Sequence, residues 1–291
     1  MKIYTADEAG FCFGVKRALN IIDRLHESNE SIEIYGQLIH NNTVLNNLKE
    51  KGIDYINDLD CLDNNRKLII RTHGILKSDE ELLKDKKVSY VDATCPLVKK
   101  IHRIIEQVNI SKNKILIIGN SNHPEIRAIS SYAENGLIVN SIEELDVLKH
   151  NEPVSVVAQT TLDSGFFKMM ISEIIDRVEH VEIFNTICSA TIERQEAVKK
   201  LAPKVDFIIV IGGKNSSNTK KLYNISKIIN ENTFHIEKSS ELNDHELQSK
   251  FRFFSSVGIT AGASTPPEEI EDVKVFFRNF KPEKESYNGR Y

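Results

Sequence analysis

Residues 91–105 read VDATCPLVKKIHRII, a β-branched run that stops at Cys95 and gives way to a helix-like segment. Pro96 suits the first position of a helix, where its missing N–H is not needed, and this puts Cys95 at the N-cap. A sulfur there faces unpaired backbone N–H groups and the positive end of the helix dipole. Both favour the thiolate, the form that binds metals and attacks electrophiles. A lone cysteine in such a place is also an ordinary small buried residue, so the position acquires meaning only by being repeated.

It is repeated. Cys12 and Cys188 stand in CFGVKRALNII and CSATIERQEAVKKL, each between a strand-like and a helix-like run, 83 residues before and 93 residues after Cys95. Counting 24 residues on from the three cysteines reaches Gly36, Gly119 and Gly212; counting 28 reaches His40, His123 and Ser216, with no gap in either count. A second polar loop follows a later strand in each interval: RTHGI with His73, AQTTL with Thr160 and Thr161, and TAGASTP with Ser264. Strand-like runs (KIYTA, IEIYG, KLIIRT, VSYVD, KILIIG, VSVVAQT, VEIFN, DFIIVIG, FFSSVGIT) alternate with amphipathic segments such as VKRALNIIDRLHE and TKKLYNISKIIN.

The pattern predicts an α/β fold of three pseudo-repeated domains with mainly parallel sheets, over 13–94, 95–187 and 188–280. Strand 1–12 is expected to complete the third domain, and 281–291 to form a flexible tail. In such units ligands gather at the carboxyl ends of the strands, beside helix N-termini. Arranged around an approximate three-fold axis, the units bring three cysteines together inside a ring of six polar loops. Cys61, in DLDCLDNN, lies outside this register and is assigned no role.

The charge balance, 38 Lys and Arg against 42 Asp and Glu in 291 residues, offers no basic excess for nucleic acid or an anionic membrane. The N-terminus lacks a signal-like pattern and no apolar run approaches about 18 residues, so a soluble cytoplasmic protein is expected. Four cysteines in such a chain point to metal binding, catalysis or simple burial rather than to a disulfide framework.

Structural zinc usually takes four ligands, often in C-x-x-C pairs, and no such pair exists here. Three distant cysteines suit an iron–sulfur cubane with one iron lacking a protein ligand, while a three-cysteine zinc site with water in the fourth position stays open. The loops read as an anion site. GGKNSSNTKKL offers Ser216, Ser217 and Asn218; GASTPPEEI places Ser264 beside an expected capping box of Thr265 and Glu268 with Pro266 at N1. Taken singly these hydroxyls are ordinary caps, but together with the imidazoles they suit a diphosphate held largely by hydrogen bonds. His40, His73 and His123 occupy the repeated loops, whereas His26, His102, His150, His180, His235 and His245 read as surface residues. Glu125, in the first turn after His123, either complements the helix dipole or donates a proton from a dry site. A zinc hydrolase of phosphorylated metabolites and a non-enzymatic electron carrier are the rival readings; a carrier has no need of a polar cavity.

With these residues assembled, the chain resembles the LytB/IspH family. Matching stretches run in order from GFCFGVKRA through HN, THG, DATCPLV, NHPE, QTTL, RQEAV and KNSSN to TAGAS. The resemblance implies a trefoil of three α/β domains around one [4Fe–4S] cluster per chain, ligated by Cys12, Cys95 and Cys188 with one open iron. It implies an allylic diphosphate substrate held by His40, His73, His123, Ser216, Ser217, Asn218 and Ser264, with Thr160, His123 and Glu125 in the chemistry. The implied reaction is two-electron reductive dehydroxylation of 4-hydroxy-3-methylbut-2-enyl diphosphate to isopentenyl and dimethylallyl diphosphate, the last step of the non-mevalonate isoprenoid pathway. Reduced ferredoxin or flavodoxin is the implied electron donor, and neither nucleic acid nor membrane is a partner. Phe13 stands where many relatives have alanine, and Glu193 where a neutral or different polar residue is expected.

Overall fold

A computed structural model describes residues 1–63 and 65–281; the expected tail, beyond Lys281, lies outside the described residues. The chain enters with β1 (Lys2–Thr5) and α1 (Phe13–Glu27). Then follow β2 (Ile32–Tyr35), α2 (Asn42–Glu50), β3 (Asp54–Ile56), β4 (Lys67–Ile70), α3 (Lys77–Asp85) and β5 (Tyr90–Asp92). The next stretch runs α4 (Pro96–Ser111), β6 (Lys114–Ile118), α5 (Pro124–Ser131), β7 (Gly136–Val139), β8 (Val154–Ala158), α6 (Ser164–Arg177) and β9 (Val181–Ile183). Last come α7 (Ser189–Leu201), β10 (Phe207–Ile211), α8 (Ser217–Ile229), β11 (Thr233–Ile236), α9 (His245–Phe251), β12 (Ser256–Ala261) and α10 (Pro267–Asn279).

These strands form three four-stranded sheets in the orders β3-β2-β4-β5, β7-β6-β8-β9 and β11-β10-β12-β1, with every pairing parallel. The α/β class with three parallel sheets is therefore as the sequence pattern requires. Written this way the three orders are one order, second-first-third-fourth, and β1 serves as the fourth strand of the last sheet. The chain leaves the first and third strands in opposite directions, which opens a crevice at their carboxyl ends.

Central strands are buried on both faces and read as unbroken apolar runs, FIIVI in β10 and KILII in β6. The three strands missing from the sequence pattern, β3, β7 and β11, are the second strand of each sheet and lie at its edge. DYI, GLIV and TFHI are short and only partly covered, so they carry no such run.

By contacts the chain divides into two compact units, one of Phe13–Ile39 and Val44–Ile192, the other of Met1–Cys12, His40–Thr43 and the chain from Glu193 onward. The first holds two sheets. On one face of β6 and β8, α4 and α5 supply Ile101, Ile105, Ile126 and Ile129; on the other, α6 supplies Phe167, Met170 and Ile174. In the second unit Phe207 anchors an aromatic cluster, its ring stacked on Phe251 at 4.7 Å and Phe254 at 5.1 Å and edge-on to Phe277 at 5.5 Å. Among the described residues no helix is long and apolar enough to cross a membrane.

Phe207 is fully buried, and truncating it removes both its transfer free energy and the packing of its neighbours. Phe207→Ala should destabilise the protein by about 3–5 kcal/mol in urea unfolding, and a loss under about 1 kcal/mol would show that this cluster is not the core of its sheet.

Candidate active site

Each register cysteine occupies the residue immediately before a helix: Cys12 before α1, Cys95 before α4 and Cys188 before α7. Cys95 is the N-cap of α4 with Pro96 behind it. The backbone N–H of each cysteine donates to a carbonyl in the loop after the third strand of its own sheet. Cys12 donates to Ala263 at 3.0 Å, Cys95 to Thr72 at 2.9 Å and Cys188 to Thr160 at 3.0 Å. Those carbonyls stand at one position, two residues past the ends of β12, β4 and β8. The three thiols are half-buried, while Cys61 is exposed.

In the unit built on Phe13–Ile39 and Val44–Ile192, two polar loops meet at the crevice between β6 and β8. His123 is the N-cap of α5, its Nδ1 accepting from the Glu125 N–H at 3.2 Å. That bond puts the ring proton of the neutral form on Nε2. Glu125 is 2 % exposed and bound twice by Thr160, whose N–H donates to Oε1 and whose hydroxyl donates to Oε2, both at 2.7 Å. Burial pushes the Glu125 carboxyl above its usual range, and the two bonds from Thr160 pull against that without cancelling it. The His73 ring meets His123 edge-on, 5.3 Å between centroids. Thr72, its neighbour, donates its hydroxyl to the Leu38 carbonyl at 2.7 Å, tying the loop after β4 to the loop after β2.

The unit holding Cys12 gathers the remaining candidates at the crevice between β10 and β12. Ser216 is the N-cap of α8, its Oγ accepting from Thr219 N–H at 3.3 Å, and Ser217 opens the helix. Asn218, 4 % exposed, has both side-chain amide atoms buried without a hydrogen-bond partner. Ser264 donates to the His40 carbonyl at 3.4 Å, and a Cβ on Gly213 would overlap the same carbonyl oxygen, so only glycine lets this loop lie against His40. Capping explains Ser216 in part, but it does not account for two unmatched atoms on one buried amide.

Some expectations are corrected. The Thr265–Glu268 capping box does not form: Pro266 is the N-cap, α10 starts at Pro267, and Thr265 is buried, donating to the Ile211 carbonyl at 2.9 Å. His102 is not a surface residue. It stacks on Tyr132 at 4.1 Å, and burial lowers its pKa to about 4. His235 is half-buried, bonded through Nε2 to the Gly212 carbonyl at 2.8 Å. Both lie on polar-looking stretches whose burial comes from neighbouring elements, a property no local pattern carries.

Two supporting residues were given no role from sequence. Arg194, buried within RQEAV, donates to the Gly10 carbonyl at 2.8 Å, two residues before Cys12. Gln159 joins two loops, accepting from the Asn120 N–H at 3.2 Å and donating to Thr161 Oγ1 at 3.1 Å. Phe13 is 72 % exposed and Glu193 is exposed.

The site has recognisable relatives. The sequence profile of the LytB protein family matches residues 3–278. The 4-hydroxy-3-methylbut-2-enyl diphosphate reductase of Aquifex aeolicus is 44 % identical over 278 residues, covering 94 % of each chain. That of Clostridioides difficile is 39 % identical over 96 % of this chain and all of its own. Among solved structures, the corresponding Plasmodium falciparum reductase aligns with a TM-score of 0.90 at 30 % identity, over 96 % of this chain and 88 % of that one. A second, described as the terminal enzyme of the non-mevalonate pathway, aligns at 0.70 with 42 % identity over 96 % of this chain and all of that one.

The raised pKa of Glu125 has a signed consequence. A carboxyl protonated in both states costs folding nothing; once pH passes the unfolded value, the folded state must keep the proton or bury a charge, and stability falls until the folded group ionises. Glu125→Gln should therefore match the parent in stability near pH 4 and exceed it at about pH 7.5. Parallel urea titrations check this, and a gap that is constant with pH would assign Glu125 an ordinary pKa.

Proposed function

The chain belongs to the LytB protein family, and on that premise we propose that it is an iron–sulfur reductase. It takes 4-hydroxy-3-methylbut-2-enyl diphosphate to isopentenyl and dimethylallyl diphosphate, adding two electrons and two protons and releasing the hydroxyl as water. One observation carries the reading: three thiols occupy one position in three repeats, each one residue before a helix and each held by the same N–H bond to the loop that follows a third strand. Donor set and setting suit a [4Fe–4S] cluster. Cys12, Cys95 and Cys188 are half-buried, each immediately before a helix, and three thiols with one open coordination position match the donor count of such a cluster. When bound, the cluster supplies the electrons and, at its one iron without a protein ligand, Lewis acidity. Reduced ferredoxin or flavodoxin in the cytoplasm is the proposed electron source.

The chain's own residues bind the substrate and move protons. Asn218 offers an amide N–H pair and a carbonyl that its own unit leaves unmatched, and Ser216, Ser217 and Ser264 add hydroxyls beside the start of α8. His40, His73 and His123 complete the proposed diphosphate shell, His123 donating from Nε2 because Nδ1 is engaged. Few charges are needed, since backbone and hydroxyl donors hold an anion well when preorganised. Glu125 stores a proton on Oε2 that reaches the substrate through Thr160 Oγ1, which accepts from the protonated carboxyl as readily as it donates to the ionised one. Burial raises the pKa of that carboxyl and so favours keeping the proton.

Anaerobic preparations decide the main point. Cys12→Ser, Cys95→Ser and Cys188→Ser should each lose iron, acid-labile sulfide and reductase activity, while Cys61→Ser keeps all three; full iron and activity in any of the first three refutes the ligand set. Asn218→Ala and Ser264→Ala should weaken diphosphate binding by about 1–3 kcal/mol each with an unaltered cluster absorbance, and unchanged affinity in both returns them to structural roles. Glu125→Gln should keep cluster and substrate affinity yet lose turnover by at least about 100-fold; near-normal turnover places the donor elsewhere.

A further inference from the structure

The unit of Phe13–Ile39 and Val44–Ile192 carries a polar cavity of about 350 Å³, lined by none of the residues assigned above. Its walls include two guanidinium groups, Arg71 from the end of β4 and Arg127 from α5. Among the described residues no carboxylate pairs with either. The one carboxylate facing the cavity, Asp79, accepts from the Tyr35 hydroxyl at 2.8 Å. Arg71 is held in place rather than waving in solvent: its Nε donates to the Gly74 carbonyl at 3.2 Å, and its guanidinium lies so close over Gly36 (φ +75°) that any side chain there would collide with it. Burial and the neighbouring Arg127 disfavour the charge on Arg71 while Tyr35 and Asp79 favour it, and burial outweighs them. Ile75, Leu76 and Ala128 add apolar surface to the same lining.

We propose that this cavity is a second ligand site, for a small diphosphate ester with a short alkyl or alkenyl chain, its phosphates on Arg71 and Arg127 and its chain against Ile75, Leu76 and Ala128. Paired arginines suit phosphate oxygens geometrically, and the apolar surface gives an ester an advantage that inorganic diphosphate lacks. The choice of a diphosphate ester rests on the reductase reading, although none of the cavity's residues belongs to the proposed shell. It is placed to communicate with that shell. Arg71 lies two residues before His73, and the Arg127 N–H donates to the His123 carbonyl at 3.0 Å, so a ligand bridging the two arginines links the loops that carry both imidazoles.

Anaerobic calorimetric titration of the intact holoenzyme with isopentenyl diphosphate tests this. The parent should bind two equivalents and Arg127→Gln and Arg127→Glu one, with the lost equivalent about tenfold or more weaker. Arg127 is exposed, so these variants should melt with the parent. Unchanged stoichiometry and affinity in both variants would overturn the proposal. In a parallel arm, inorganic diphosphate should bind the Arg127-dependent site about tenfold more weakly than the ester; equal binding would overturn the assignment of an alkyl-bearing ligand. Asn218→Ala should affect the other equivalent only, so failure of the primary diphosphate reading shows separately as an Asn218→Ala titration identical to the parent's.

Discussion

A single backbone hydrogen bond, made three times, organises the chemistry of this chain. In each sheet the N–H of the cysteine that follows the fourth strand donates to the carbonyl two residues beyond the third strand. That bond fixes the thiol relative to the polar loop of the same sheet and leaves the cysteine at the head of a helix. The parallel second-first-third-fourth order makes it possible, because the third and fourth strands are neighbours and finish at the same end. A parallel sheet therefore supplies, at no cost in special sequence, a rim where loop carbonyls, helix N-termini and a thiol come together.

The rim is costly elsewhere. Among the described residues, Asn218 buries two unmatched amide atoms and Glu125 buries a carboxyl bound by Thr160 alone, each a group that folding alone disfavours. The surrounding sheets offset this: β6, β8 and β10 are buried on both faces, and the Phe207 cluster adds aromatic contacts in the unit that holds Asn218. Such a division, apolar rigidity in the strands and unmet polarity in the loops after them, is what a preorganised binding site requires.

Capping leaves a donor on the same residue. His123 and Ser216 each use a side-chain acceptor to cap a helix, and in doing so direct a proton away from the helix, from Nε2 of one and the hydroxyl of the other. For Ser216, where the sequence poses cap against ligand group, the cap forms and still leaves the hydroxyl proton to donate.

The nine strand-like runs, the three cysteines and the equal offsets to glycine and polar residue were legible from sequence, because the runs are rich in β-branched and aromatic residues and a repeat keeps its spacing. The edge strands DYI, GLIV and TFHI were not legible, since Asp54, Gly136 and His235 break or head runs of only three or four residues; exposure alone does not hide a strand, because β1, β5 and β9 lie at the opposite edges and were read. Nor were the true surroundings of His102, His235 and Thr265, which are covered by elements distant in sequence. Glu125 shows the division most clearly. Its place in the first turn of α5 follows from His123-Pro124, yet whether that carboxylate faces water or sits dry against Thr160, 35 residues away, depends on β6 and β8 being neighbours. Local sequence determined which groups stand at the ends of strands; only the pairing of those strands decided which of them lose water and so acquire an altered chemistry.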